Sequence, residues 1–318
     1  MVHPIVMNKE ERFMLNSMIG AIESGLIYAL MALGVFITFR ILDFPDLTVD
    51  GSFTTGAAIC AVMSVNGYSP ILAVVCAFLG GAAAGVCTGL LHTKGKINGL
   101  LSGIIMMIAL FSINLRISGK PNVSMSKVEN LIFNEVSVMV VMIVFVIAVK
   151  LLLDLFFKTD VGLSLRATGD NARMIRSFGA NTDTNIIIGI ALSNGLVALS
   201  GALIAQYQKF SDNGMGIGMI VIGLASVIIG EAIFGARSIF RATLAVILGA
   251  IVYRIIIALA LRVEWLDTSD MKLITAVIVI FALVVPYMRK VMNQRKLAQK
   301  RTKEMLAAIE SVQAGGGR

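Results

Sequence analysis

The sequence predicts an all-α protein that crosses a membrane many times, and three observations carry that prediction. Of 318 residues, 57% are hydrophobic and 14% charged, whereas a soluble domain is about one quarter charged. The apolar residues fall in runs of about 20, the length a helix rising 1.5 Å per residue needs to cross about 30 Å of hydrocarbon. The runs also lack the polar–apolar alternation that outer-membrane strands show over about ten positions.

Nine spans are expected, at about 17–39, 48–65, 70–91, 97–115, 136–157, 184–207, 215–234, 241–261 and 271–288. The first is too long for a signal-peptide core and has no small-residue cleavage site, so it reads as a span. The second is the weakest. It opens on Asp50, Gly51 and Ser52 and ends at Asn66 and Gly67, so it is either a full span or a broken, re-entrant one, leaving eight. Glycines recur every fourth residue in the third span (Gly81, Gly85, Gly89) and the fourth (Gly99, Gly103). Such faces let helices approach closely, either inside one chain or between two copies. Cys60, Cys76 and Cys87 lie in apolar runs without metal-ligand spacing and read as packing residues.

Basic residues in short connections favour the cytoplasm. The stretch 289–303 holds seven Lys or Arg and no acid, which places the C-terminus inside. Counting spans backwards puts Arg237, Arg241, the polar segment 158–183 and Lys94 with Lys96 inside as well. Acidic or mixed connections, with Glu264, Asp267 and Asp270 in one, then fall outside. Trp265, Tyr68 and Tyr207 sit at the outer interface. The chain divides into a membrane domain, 1–288, and a basic cytoplasmic tail, 289–318. Four spans, then one, then four more with the opposite starting side suggest an inverted repeat, a common transporter plan. The net charge of +8 comes largely from the tail and suits an anionic lipid surface, not nucleic acid.

Several chemistries are missing. No G-x-x-x-x-G-K-[ST] loop is present to cradle nucleotide phosphates. With two histidines, His3 and His92, there is no histidine-rich metal site, and no nucleophile stands at a useful spacing from a base. No catalytic residue and no metal ligand is expected, and no enzyme activity from this chain alone.

The most informative positive feature is the polar stretch GLSLRATGDNARMIRSFGAN at 162–181, wedged between apolar spans. Gly162 and Gly169 are expected to loosen it, and Asp170 to cap a short helix at about 171–178. Arg173 and Arg176 share a face, Ile175 and Phe178 give an apolar side, and Gly179 ends the helix. The pattern reads as a docking element for a soluble partner; the plainer alternative is an amphipathic loop on the membrane surface.

That stretch resembles the cytoplasmic coupling loop of ABC-importer permeases of the branched-chain amino-acid and ribose class. The resemblance continues through NGLVALSGALIAQ at 194–206, GLASVIIGEAIFG at 223–235 and DLTVDGSF at 46–53, and covers about 17–288. It implies that the loop, through Arg166, Gly169, Asp170, Asn171, Arg173, Arg176 and Gly179, meets an ABC ATPase subunit that hydrolyses ATP. It also implies a soluble solute-binding protein outside, a second permease subunit, here expected to be identical, and no cofactor on this chain. DLTVDGSF resembles the start of a pore-lining helix, which would place Asp46, Thr48, Asp50, Gly51 and Ser52 on the translocation path; as carboxylates at a helix start, Asp46 and Asp50 read equally as caps. This form, with the Glu after Ile-Ile-Gly, looks closest to the subgroup tied to aromatic amino-acid uptake. A sugar or nucleoside is the alternative solute. The rival class, a self-sufficient secondary transporter or channel, calls for ionisable residues near mid-membrane, and Arg254 is the deepest one here. Glu231, near the inner end of its span, is a candidate interface or gating residue, expected to meet Arg237, Arg241 or the coupling loop in preference to Arg254. Lys150 and Asp154, four residues apart, read as a local pair.

Overall fold

The computed structural model of the chain describes residues 9–128, 131–133, 137–261 and 273–281, with scattered positions between 284 and 299. The elements run α1 (Lys9–Phe36), a π-helical turn (Ile37–Ile41), α2 (Thr48–Val65), α3 (Pro70–Thr93), α4 (Gly99–Ser118), β1 (Asn122–Ser124), α5 (Val138–Phe156), α6 (Asp160–Ser177), α7 (Thr182–Gln208), β2 (Phe210–Asp212), α8 (Met219–Phe234) and α9 (Ile239–Ala260). Among the described residues seven helices are long and apolar enough to cross a membrane. They are α1 to α5, α7 and α9. The expected last span falls partly outside the described residues, although 273–281 is helical, and the tail falls almost wholly outside them.

The chain is an all-α multi-pass membrane protein built around α2 and α7. These two helices approach backbone to backbone: a Cβ on Gly56 would overlap the Ala198 carbonyl oxygen, and one on Gly201 the Phe53 carbonyl. The α3 glycines have the same use. Gly81, Gly85 and Gly89 face Asn194, Ile190 and Ile187 of α7, so this face is spent inside the protomer and is not a seam between copies. Gly99 and Gly103 of α4 meet Phe44 and Leu47 in the same way. Without a hydrophobic force between helices in lipid, close small-residue packing and interhelical hydrogen bonds hold the bundle. The bonds are present: Ser193 Oγ donates to the Gly34 carbonyl at 2.7 Å and Ser200 Oγ to the Ile27 carbonyl at 2.8 Å. Thr48 and Thr88 hydroxyls pair at 2.8 Å.

Two expectations shift. The span expected at 215–234 is a helix of only 16 residues, starting at Met219. The element suspected of being broken, the second span, is instead a continuous helix. The irregular backbone lies before α8. There β1 and β2 pair antiparallel, Val123 opposite Ser211, and bury Val123 and Met125 against Ala57, Ala61 and Ala205. The glycine-rich segment after β2 then reaches down α2 as far as Asp50, so that Gly216 lies against the Asp50 carbonyl. Backbone of this kind is tolerated at depth only where protein covers it, and α2, α4 and α7 supply the cover.

Candidate functional site

α6 builds one end of the bundle. Thr159 Oγ1 accepts from Gly162 N at 3.2 Å and caps its start. The helix breaks at Asn171, whose φ and ψ are −158° and 87°, and resumes to Ser177. The expected 171–178 helix is therefore the second half of a longer one. Asn171, not Asp170, caps that half, its Oδ1 accepting from Met174 N at 3.1 Å; Asp170 is exposed. Gly179 ends the helix at φ +83°, as expected.

Gly162 and Gly169 serve contact and not looseness. A Cβ on Gly162 would overlap the Phe156 carbonyl, and one on Gly169 the Ile41 carbonyl at the end of the π turn. Asn185 of α7 donates to Ser164 Oγ at 2.7 Å and to Thr168 Oγ1 at 2.9 Å. α6 is thus bedded on the ends of α1 and α7. Arg166 is partly covered and Arg173 exposed. Arg176 turns back, its Nε donating to Thr182 Oγ1 at 2.8 Å beside Asp183. Phe178, 78% exposed, and Met174 stand free beside Arg173.

Glu231 belongs to this end too, with a different partner from the one expected. It pairs with Arg40, Nε to Oε1 at 3.0 Å. Arg40 sits in the π turn, where Leu42 N bonds back five residues to the Ile37 carbonyl. The extra residue in that turn shifts the register of the side chains around the helix axis, which presents Arg40 to the end of α8. Arg237 and Arg241 make no ion pair with Glu231 among the described residues.

The start of α2 lies deeper. Asp46, Thr48 and Ser52 are fully buried. Asp46 caps its own helix, Oδ1 accepting from Thr48 N at 2.9 Å. Its Oδ2 accepts from Asn194 Nδ2 at 2.6 Å, and Asn194 Oδ1 accepts from Ser52 Oγ at 2.7 Å. Asp50 caps a different helix: its oxygens accept from Gly218 N and Ile220 N, both at 2.8 Å. A carboxylate there satisfies orphan N–H groups and sits at the positive end of α8. The Gly51 carbonyl accepts from Asn114 Nδ2 at 3.2 Å, and a Cβ on Gly51 would press on Leu110 of α4. The side chains of the DLTVDGSF stretch therefore meet α3, α4, α7 and α8 instead of standing open. Lys150 and Asp154 do form the expected pair, and it is more than local. Asp154 accepts from Thr243 Oγ1 at 2.8 Å, and Lys150 lies 3.5 Å from the Phe240 ring centroid, so the pair ties α5 to α9.

Sequence reasoning missed Asn194, Asn114 and Arg40. The two asparagines carried a usable signal, since an amide inside an apolar span must find a partner.

A deeply bonded span bundle with one polar helix laid across its end matches a known plan. Residues 17–285 match the family described as branched-chain amino acid transport system / permease component. The chain belongs to this family. As a permease it shares 47% identity over 266 residues, 84% of its own length and 90% of the relative's, with the tyrosine transport system permease protein of Clostridioides difficile (strain R20291). The permease is 27% identical to the autoinducer 2 import system permease protein LsrC of Yersinia enterocolitica over 77% of this chain and 69% of that one. It is also 27% identical to the galactofuranose transporter permease protein YtfT of Escherichia coli (strain K12), over 66% and 62%. No solved structure matches the permease. The family consists of permease components of ABC import systems, which work with an ATPase and a solute-binding protein.

Proposed function

We propose that this permease forms the path by which an ABC importer brings an aromatic amino acid, tyrosine or a close relative, across the cytoplasmic membrane. Two identical copies enclose the path, ATPase subunits dock on α6 at the cytoplasmic end, and the binding protein delivers solute at the far end. The tyrosine permease relative supports the solute class. One observation carries the mechanism: Gly169 beds α6 directly on the Ile41 carbonyl, while Arg173, Met174 and Phe178 remain exposed beyond it. A partner that grips the exposed half of α6 moves the end of α1, and through Arg40 and Glu231 the end of α8. The start of α2, with Asp46, Thr48, Asp50, Gly51 and Ser52, closes the path at rest, held by Asn194 and by the cap on α8. Alternating access then shifts populations between this state and an open one, driven by ATP binding elsewhere.

The test reconstitutes the permease with its ATPase and binding protein in proteoliposomes. Arg173→Glu combined with Phe178→Asp is expected to lower solute-stimulated ATP hydrolysis at least tenfold, with the permease still inserted. Full stimulation would remove α6 from coupling. Uptake of galactose or ribose in place of labelled L-tyrosine by the unaltered complex would remove the amino-acid reading.

A further inference from the structure

Glu23, Tyr207 and Arg254 meet at the end of the bundle opposite α6. The Tyr207 hydroxyl donates to Glu23 Oε2 at 3.2 Å and lies beside Gly20 of α1. The Arg254 guanidinium stands 4.2 Å from the Tyr28 ring centroid, and Tyr28 stacks on Phe53 of α2, ring planes 4° apart. Neither charge has an opposite charge within ion-pairing distance among the described residues, and Arg254 Nε is buried without a hydrogen-bond partner.

The direction of the arginine is the informative part. Ile251 of α9 packs on Gly25 of α1. The helices run antiparallel, so Arg254 starts about level with residue 22. Its guanidinium nonetheless rests on the ring of Tyr28, a residue whose Cα lies roughly 9 Å deeper at 1.5 Å per residue. A lone arginine in a span ordinarily snorkels to the nearer interface; this one points into the bundle. A charge at depth is costly unless it meets a partner, and Glu23 and Arg254 stand at about the same level on neighbouring helices, α1 and α9, with no ion pair between them. A ligand that carries both charges completes the arrangement.

We propose that Glu23 and Arg254 form a subsite for the zwitterionic head of an α-amino acid. Arg254 takes the carboxylate in the fork geometry a guanidinium offers, and Glu23 takes the ammonium. The assignment builds on the amino-acid reading above. It gives the far end of the permease a chemical selectivity of its own, in addition to that of the binding protein.

The test measures the maximal rate of L-tyrosine uptake by the reconstituted complex at saturating binding protein, normalised to complex recovered with its ATPase. Glu23→Gln and Arg254→Gln are each expected to lower it at least fivefold. Arg254→Lys, which keeps the charge and loses the fork, is expected to fall between Arg254→Gln and the unaltered protein. Glu23 is partly exposed, so its variant tests the subsite even if Arg254→Gln lowers recovery. A normalised loss of less than fivefold in Glu23→Gln, while the unaltered complex transports tyrosine, overturns the subsite alone. An unaltered complex that takes up no amino acid overturns the amino-acid reading and the subsite together.

Discussion

α2 and α5 both cross the bundle, and their surroundings are opposite. α5 is the most apolar of the seven spans, yet only 28% of its window is buried; α2 is the least apolar, and 78% of its window is buried. In water the order would be reversed. Lipid tails are as apolar as leucine, so apolarity gives a helix no reason to seek the interior. α2 is central because it offers Gly51 and Gly56, which permit close approach, and Thr48, Ser52 and Asp50, which carry hydrogen bonds to α3, α7 and the start of α8. α5 offers bulk: it packs on α1, is tied to α9 through Asp154 and Lys150, and stands away from α3 and α7 across an apolar groove of about 1110 Å³. Its Val144, Leu151 and Leu155 face outward.

The contrast can be broken most severely at its closest contact. Gly56→Leu is expected to leave little folded permease, because the new side chain would occupy the position of the Ala198 backbone; the yield of monodisperse protein after detergent extraction measures it. Near-normal yield would mean that α2 and α7 separate readily.

A smaller loss isolates the polar half of the contrast. Asn194→Ala removes the amide that donates to Asp46 and accepts from Ser52, leaving a buried carboxylate short of a donor. Leaving a buried polar group without its partner costs about 1–3 kcal/mol, so thermal unfolding in detergent is expected to begin several degrees lower. Asp46→Asn combined with Asn194→Ala is expected to recover part of the loss, since an amide at position 46 can donate as well as accept. Equal melting for all three proteins would show that the network adds nothing to stability. The smallest effect belongs to α5: Leu155→Ala, on an outward face, is expected to leave melting and uptake unchanged within error. A large effect there would mark that face as covered in the assembled importer.

The span pattern and the polar helix between two spans are legible in the amino-acid order because each rests on local composition. Gly179 as a helix stop and Asp46 as a cap are legible for the same reason. Periodicity shows that Gly81, Gly85 and Gly89 share a face; it cannot show that α7, about one hundred residues on, occupies that face. The two wrong partners have a common origin. Proximity in sequence matches Asp170 to the nearest helix start and Glu231 to the nearest arginines. The break at Asn171 and the π turn at 37–41 bring the true partners, Asn171 and Arg40, into place. One added residue in a turn leaves no mark on hydropathy.

The cap on α8 has a consequence for how the chain is made. Asp50 and Gly218 are 168 residues apart. At a synthesis rate of roughly 5–20 residues per second, about 10–30 s pass between the two. Throughout that interval α2 is already made, and its aspartate lacks the amides that will satisfy it. α2 therefore cannot complete its polar contacts until the start of α8 has been made. A chain stopped before residue 218 carries a part-buried carboxylate without the amides that satisfy it in the finished protein.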